Sequence, residues 1–342
     1  MKKLFLSGIA FMTLSVVVAQ NQATLSQVGT QQTSQQSQAG SHLNSVVTQG
    51  TGTNTTINAY NTASTIQIGT YQTAEINQRN LAVDNTALLF QHGNNNLATS
   101  IQQTNTSFNN KAYLNQYGDS NNETRITQSN NSFNNKATID MGGDGPTGIY
   151  PAGWTPVYGG TAIIEQSNNS HDNIARIGQS GNGHDGRIYQ TGSVGNSDAY
   201  IDQFPSGLAN TALIRQTNQV SGTARVIQNQ FSFGGSNGNN VAEVSQGSGS
   251  ADVSGGNYTI VIQENANNIS RNEQVGTNNF ASINQAGNGN ILEGLGGDPV
   301  ARQIGSGNQL YITQNSVGGA GNIAHVSQMG TSNKAVITQT SN

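Results

Sequence analysis

A short phrase that recurs almost from end to end limits what this chain can fold into more than any other feature. Its best copy is Ala112-Tyr113-Leu114-Asn115-Gln116-Tyr117-Gly118, with Asn110 two places before the alanine. In a β-strand, Asn110, Ala112, Leu114 and Gln116 share one face, and Lys111, Tyr113 and Asn115 share the other. The glutamine returns at 27, 38, 49, 67, 78, 91, 103, 116 and 128, and then from 166 to 339, mostly in steps of 11 to 13 residues. Met141 stands where one more glutamine would fall, after Ala137 and Ile139. Paired steps make a unit of about 22 to 25 residues, within the period range of solenoid repeats.

Alternation over five residues, bounded by Gly and Asn, reads as a strand followed by a turn. A helix is disfavoured, because glycine and asparagine punctuate too often and no 3.6-residue apolar period survives. The phrase puts Ile76 with Gln78, Ile126 with Gln128, Ile177 with Gln179, Ile214 with Gln216, and Ile283 with Gln285 on its alanine face. Glu75, Arg125, Asp140, Glu165, Arg176, Arg187, Asp202, Arg215, Arg225 and Glu243 all fall on the other face. Buried unpaired charge is costly, so the Ala/Ile/Gln face is predicted to be inside. A one-residue slip would bury every one of these charges, so the register is well specified.

One strand-turn unit cannot bury its own face, but stacked copies can. The 24 strand sites, counting Met141, pair two to a coil into 12 coils. At a stacking distance of about 4.8 Å the rod would be about 55 to 60 Å long. The expected fold is therefore all-β: a β-solenoid of strand-arc-strand units, amyloid-like, forming one domain over 20–342. Composition agrees. Charged residues are 9% of the chain and the formal net charge is -4, against roughly 25% charged residues in ordinary domains. A polar, nearly uncharged, Gln/Asn-rich chain suits side-chain ladders, because amides can both donate and accept along a stack. No basic patch marks a nucleic-acid partner. The chain has no cysteine, which excludes disulfides and thiolate metal sites.

Residues 1–19 read as a secretory signal peptide. Lys2 and Lys3 precede a mostly apolar run, and Val17-Val18-Ala19 offers small residues for cleavage. That run is too short to span a membrane, and no later stretch is apolar enough. Residues 28–48 are poor in aliphatics, which predicts weak first coils. Two loops are expected to bulge from the rod. One is 142–161, with Trp154, Pro146, Pro151 and Pro156, and the other is 230–240, with Phe231 and Phe233.

Catalytic and metal-binding patterns are scarce. His42, His92, His171, His184 and His325 are scattered, which places them on loops or outer faces without a metal. Gly142-Gly143-Asp144-Gly145 has the look of a calcium-binding repeat but occurs once, and Asp172, Asp185 and Asp198 read as solvated turn residues. The chain has no nucleophile elbow, P-loop or paired-carboxylate signature, so no enzymatic activity and no cofactor are expected. What stands out instead is the ends. The first strand, Ala23, Leu25 and Gln27, and the last, Ala335, Ile337 and Gln339, lie close to the termini. Neither has room for a capping repeat, so both are expected to act as terminal template strands.

The spacing Asn-x-Ala-x-(Ile/Leu/Val)-x-Gln-x-Gly resembles the curlin repeat of bacterial curli subunits. Residues 110–118 carry it in full, and Asn135-Lys136-Ala137-Thr138-Ile139 and 333–339 carry most of it. The resemblance covers about residues 23 to 339. It implies a secreted functional amyloid, at the surface of a Gram-negative-type bacterium, that polymerises with itself into biofilm matrix fibres. It also implies a nucleator subunit and a dedicated outer-membrane export pore as partners. The chain departs from that pattern in having more units, more variable spacing, a large loop and little sequence before the first strand. The alternative expectation is a monomeric β-solenoid adhesin or an ice- or glycan-binding module.

Overall fold

The computed structural model describes residues 20–28, 31–50, 59–120, 123–142, 157–192, 194–204, 209–228, 238–247, 254–317 and 321–341. Over these residues the chain is an all-β solenoid of parallel strands in two facing columns. The first column begins at Gln22–Gln27 and continues through the second halves of Thr33–Gln49 and Thr62–Arg79 to Thr99–Thr104. The second begins with the first halves of those two long strands and continues to Thr86–Asn94, Lys111–Asp119 and Lys136–Met141. Eleven successive parallel pairings run down the first column. Eleven run down the second. Each column therefore has twelve levels, numbered here from the N-terminal end, which agrees with the number of strand sites in the sequence.

Register follows the phrase. Ala137 pairs with Ala112 on one side and Ala175 on the other, and Ile139 pairs with Leu114 and Ile177. Like therefore stacks on like, and the inward aliphatic side chains merge into one spine from Val47 to Val326. The arcs are built by asparagine. Asn105 and Thr106, Asn130 and Asn131, and Asn168 and Asn169 hold φ between 56° and 66°, a left-handed conformation that asparagine tolerates better than most residues. Their side chains form ladders of their own, with Asn131 donating to Asn169 at 3.1 Å and Asn130 donating to Asn168 at 3.3 Å. The glycine of Gln-x-Gly is needed for a different reason. A Cβ on Gly40 or Gly69, both at positive φ, would lie 1.8 Å from the carbonyl oxygen of the glycine one level on.

The structure corrects several expectations. Thr33–Gln49 and Thr62–Arg79 are 17 and 18 residues long, not two short strands each. Their pairing runs from Thr33 to Gln49 with only His42 and Tyr71 skipped, so the backbone ladder turns the corner at those two positive-φ residues. The interior there is polar, with the Ser45 and Thr65 hydroxyls 2.7 Å apart. Of the predicted loop at 142–161, residues 143–156 lie outside the described residues. Val157–Tyr158 already pairs with Gly118 and Asp119, and Thr161 opens the next strand. Of the loop at 230–240, residues 230–237 lie outside the described residues, whereas Gly238 bridges to Ala266 and Asn240 is buried in the framework. The signal-peptide assignment, 1–19, also lies outside them.

Two outward carboxylates are not exposed. Asp140 and Asp202 retain only 1% and 7% exposure despite facing away from the spine. Asn115 donates to Asp140 at 2.7 Å, and Arg176 and Arg225 flank Asp202 at 3.5 and 3.4 Å. Partners of opposite charge or good hydrogen-bonding geometry lower the cost of burying a carboxylate. His184 is likewise fully buried rather than on a loop or outer face, because it takes an asparagine place at the inside of an arc. The repeat is also broken by an excursion at 294–300. It interrupts the first column at level eleven between Ile291–Glu293 and Ala301–Ser306. It carries the short 3-10 turn Leu295–Gly297 and closes with the Gly294 N–H donating to the Asp298 carbonyl at 2.8 Å.

Candidate self-assembly site

The predicted ladder residues meet inside the rod. In the first column each glutamine Nε2 donates to the Oε1 of the glutamine one level on, from Gln27 through Gln49, Gln78, Gln103 and Gln128 to Gln166. The series continues through Gln190, Gln216, Gln246, Gln274 and Gln303 to Gln328. These eleven bonds measure 2.6 to 3.0 Å and all run in one direction. In the second column the ladder runs from Gln38 through Gln67 and Gln91 to Gln116. It resumes from Gln179 through Gln203, Gln228, Gln263, Gln285 and Gln314 to Gln339.

Met141 makes the gap. A thioether has no N–H to give. Gln116 turns its amide to the Thr124 hydroxyl, and Thr124 donates to the Met141 sulfur at 3.2 Å. Gln179 Oε1, on the far side, is buried without a hydrogen-bond partner.

Each glutamine also ties the columns together. Gln78, Gln103 and Gln128 donate to the carbonyls of Asn85, Asn110 and Asn135, seven residues on, at 3.0 to 3.1 Å. Those asparagines interlock in turn. Asn85 Oδ1 accepts the Asn110 N–H, and Asn110 Oδ1 accepts the Asn135 N–H, both at 2.9 Å. Asparagine and glutamine in the phrase thus belong to one network that satisfies a polar interior, and Leu114, Ile126, Ile177, Ile214 and Ile283 fill the space between, at most 2% exposed.

The two end levels differ from the rest and from each other. Gln22–Gln27 is exposed at all six residues, with Leu25 at 50%. Among the described residues it pairs on one side only, as does Lys334–Ser341. Ala335 and Ile337 pack half-buried against the end of the spine. On the leading face, Gln27 and Gln38 donate onward, and no amide among the described residues donates to their Oε1 atoms. On the trailing face, Gln328 and Gln339 accept from Gln303 and Gln314; each Nε2 gives one N–H to a backbone carbonyl, of Gln309 and Ile323, and among the described residues its second N–H meets no further glutamine. The leading face therefore offers acceptors and the trailing face donors.

Among the described residues no group of three His, Asp or Glu side chains could hold a metal, and no helix is long and apolar enough to cross a membrane. No family model matches the chain, and no curated protein matches it.

Proposed function

We propose that this protein is the structural subunit of an extracellular fibre that grows by end-to-end stacking of these solenoids. The observation that carries the reading is the opposite chemistry of the two end faces, each a strand pair that is open on one side among the described residues. Placing Gln328 of one copy over Gln27 of the next sets Val326 against Leu25 and Ala324 against Ala23, which continues the phrase. In the second column, Gln339 over Gln38 sets Ile337 against Gln36 and Ala335 against Ser34, a more polar match. Such a contact joins two different surfaces and does not close on itself, so it builds an open filament. The resemblance to curlin repeats supports the same reading. It adds secretion to the cell surface, a matrix role in biofilm, a nucleator subunit and an outer-membrane export pore.

The mature chain should form thioflavin-positive fibres with cross-β diffraction at about 4.8 Å. Ile337→Glu should slow their growth at least tenfold by placing charge in the end template, while Arg176→Gln should leave the growth rate within about twofold. A chain that stays monomeric at high concentration after seeding would overturn the proposal. A flat ice- or glycan-binding face finds less support. The outward threonine row Thr33, Thr62 and Thr86 gives way to Lys111 and Lys136 within two levels.

A further inference from the structure

In the first column, levels eight to twelve place Asn210, Asn240, Asn268, Asn290 and Asn322 at the inside of an arc. The Oδ1 of each of the first four accepts the backbone N–H of the next in the series, at 2.9 to 3.2 Å. Level seven has His184 in that place. Its Nδ1 accepts the Asn210 N–H at 3.2 Å, and its Nε2 donates to the Ser180 carbonyl at 3.0 Å. A backbone N–H can only donate and a carbonyl can only accept, so the two contacts fix the neutral ring with its proton on Nε2. A second proton on Nδ1 would face the Asn210 N–H, and the positive ring would be fully buried.

Among the described residues no charged group is placed to compensate. Asp185 and Arg187 on its own strand pair with each other at 2.8 Å, and Arg176 pairs with Asp202 at 3.5 Å in the facing column. Glu165, Tyr189 and Arg215 in the first column, and Asp198 and Tyr200 in the second, occupy outward positions of their strands. None of these groups hydrogen-bonds the imidazole, whose two partners are backbone atoms.

We propose that His184 is an acid-sensitive joint in the rod: neutral, it stitches level seven to level eight, and protonated, it releases that stitch and the arc at 180–184. Burial, opposed in part by the Ser180 hydrogen bond, lowers its pKa from 6.5 to about 4. The folded chain thus resists a proton that the unfolded chain accepts. The stabilisation is complete above about pH 6.5 and is lost as pH falls towards 4. This gap corresponds to roughly a 300-fold weakening of the folding equilibrium.

The test is amide hydrogen exchange of the full mature chain at pH 7.5 and pH 4.5, corrected for intrinsic rates, in wild type and in His184→Asn. The wild type should lose protection at least tenfold over 180–211 at the lower pH, and His184→Asn should retain it. Equal protection of the wild type at both pH values, or the same loss in His184→Asn, would overturn the proposal. If that variant does not fold, solid-state nitrogen NMR of the wild-type ring decides. A neutral Nε2–H ring at pH 5 supports the joint, and a charged ring in an intact fold at pH 5 refutes it.

Discussion

The first column carries its glutamine ladder through all twelve levels, whereas the second loses it at Met141. Backbone pairing does not notice the change. Met141 pairs in register with Gln116 before it and Gln179 after it, as a glutamine would. Register is therefore held by the parallel backbone ladder and the aliphatic spine, and the amides do something separate. They satisfy the polar interior that a chain so short of aliphatic residues must bury. At the gap the repair is one-sided. Thr124, which stands at the alanine position of level five, supplies a hydroxyl to Gln116, but nothing reaches Gln179 Oε1.

Breaking the intact ladder in the same way should cost most. Gln128→Met would leave Gln103 without an axial acceptor and Gln166 without a donor. The nearby alanine positions in the second column, Ala112 and Ala137, offer no hydroxyl to replace either. At about 1–3 kcal/mol for each of the two unsatisfied buried groups, urea unfolding should show a loss of about 2–6 kcal/mol. A loss under about 0.5 kcal/mol would mean that the amides are dispensable. Thr124→Ala is the next largest effect. It removes the hydroxyl that serves Gln116, and the same measurement should show a loss of about 1–2 kcal/mol. The smallest change has the opposite sign. Met141→Gln should close the gap between Gln116 and Gln179 and stabilise the chain by about 1 kcal/mol, read as a higher unfolding midpoint at unchanged slope. A destabilised Met141→Gln would show that the second column needs the methionine for packing rather than tolerating it.

The contrast between the columns was visible in the sequence because it follows from the phrase itself. Ala112, Leu114 and Gln116 at a period of two, with charges confined to the other face, decide which side is buried and in what register. Met141 announces the gap by standing in a glutamine place. What the sequence hid are features set by contacts between levels. Asp140 and Asp202 sit on the outward face by periodicity, and only the stacking of Asn115 and of Arg176 and Arg225 beside them makes their burial tolerable. His184 looked like a loop residue, because its role rests on Asn210, 26 residues away. The excursion at 294–300 did have a signal, the Gly294, Gly296, Gly297 and Pro299 cluster inside an 18-residue glutamine step. The strand resumes in register at Ala301, so the phrase on either side reads as continuous and masks the break.

Cysteine cross-linking tests the proposed head-to-tail joint of opposite end faces directly, because the chain has no cysteine of its own. With Gln328 over Gln27, Ser327 of one copy lies beside Ser26 of the next. The parallel strand spacing of about 4.8 Å is within reach of a disulfide. Fibres grown from a mixture of Ser26→Cys and Ser327→Cys chains and then oxidised should yield covalent dimers containing one chain of each kind. Fibres of either variant alone should yield none. Dimers from Ser327→Cys alone, or fibres of the mixture that form without any cross-link, would contradict the account.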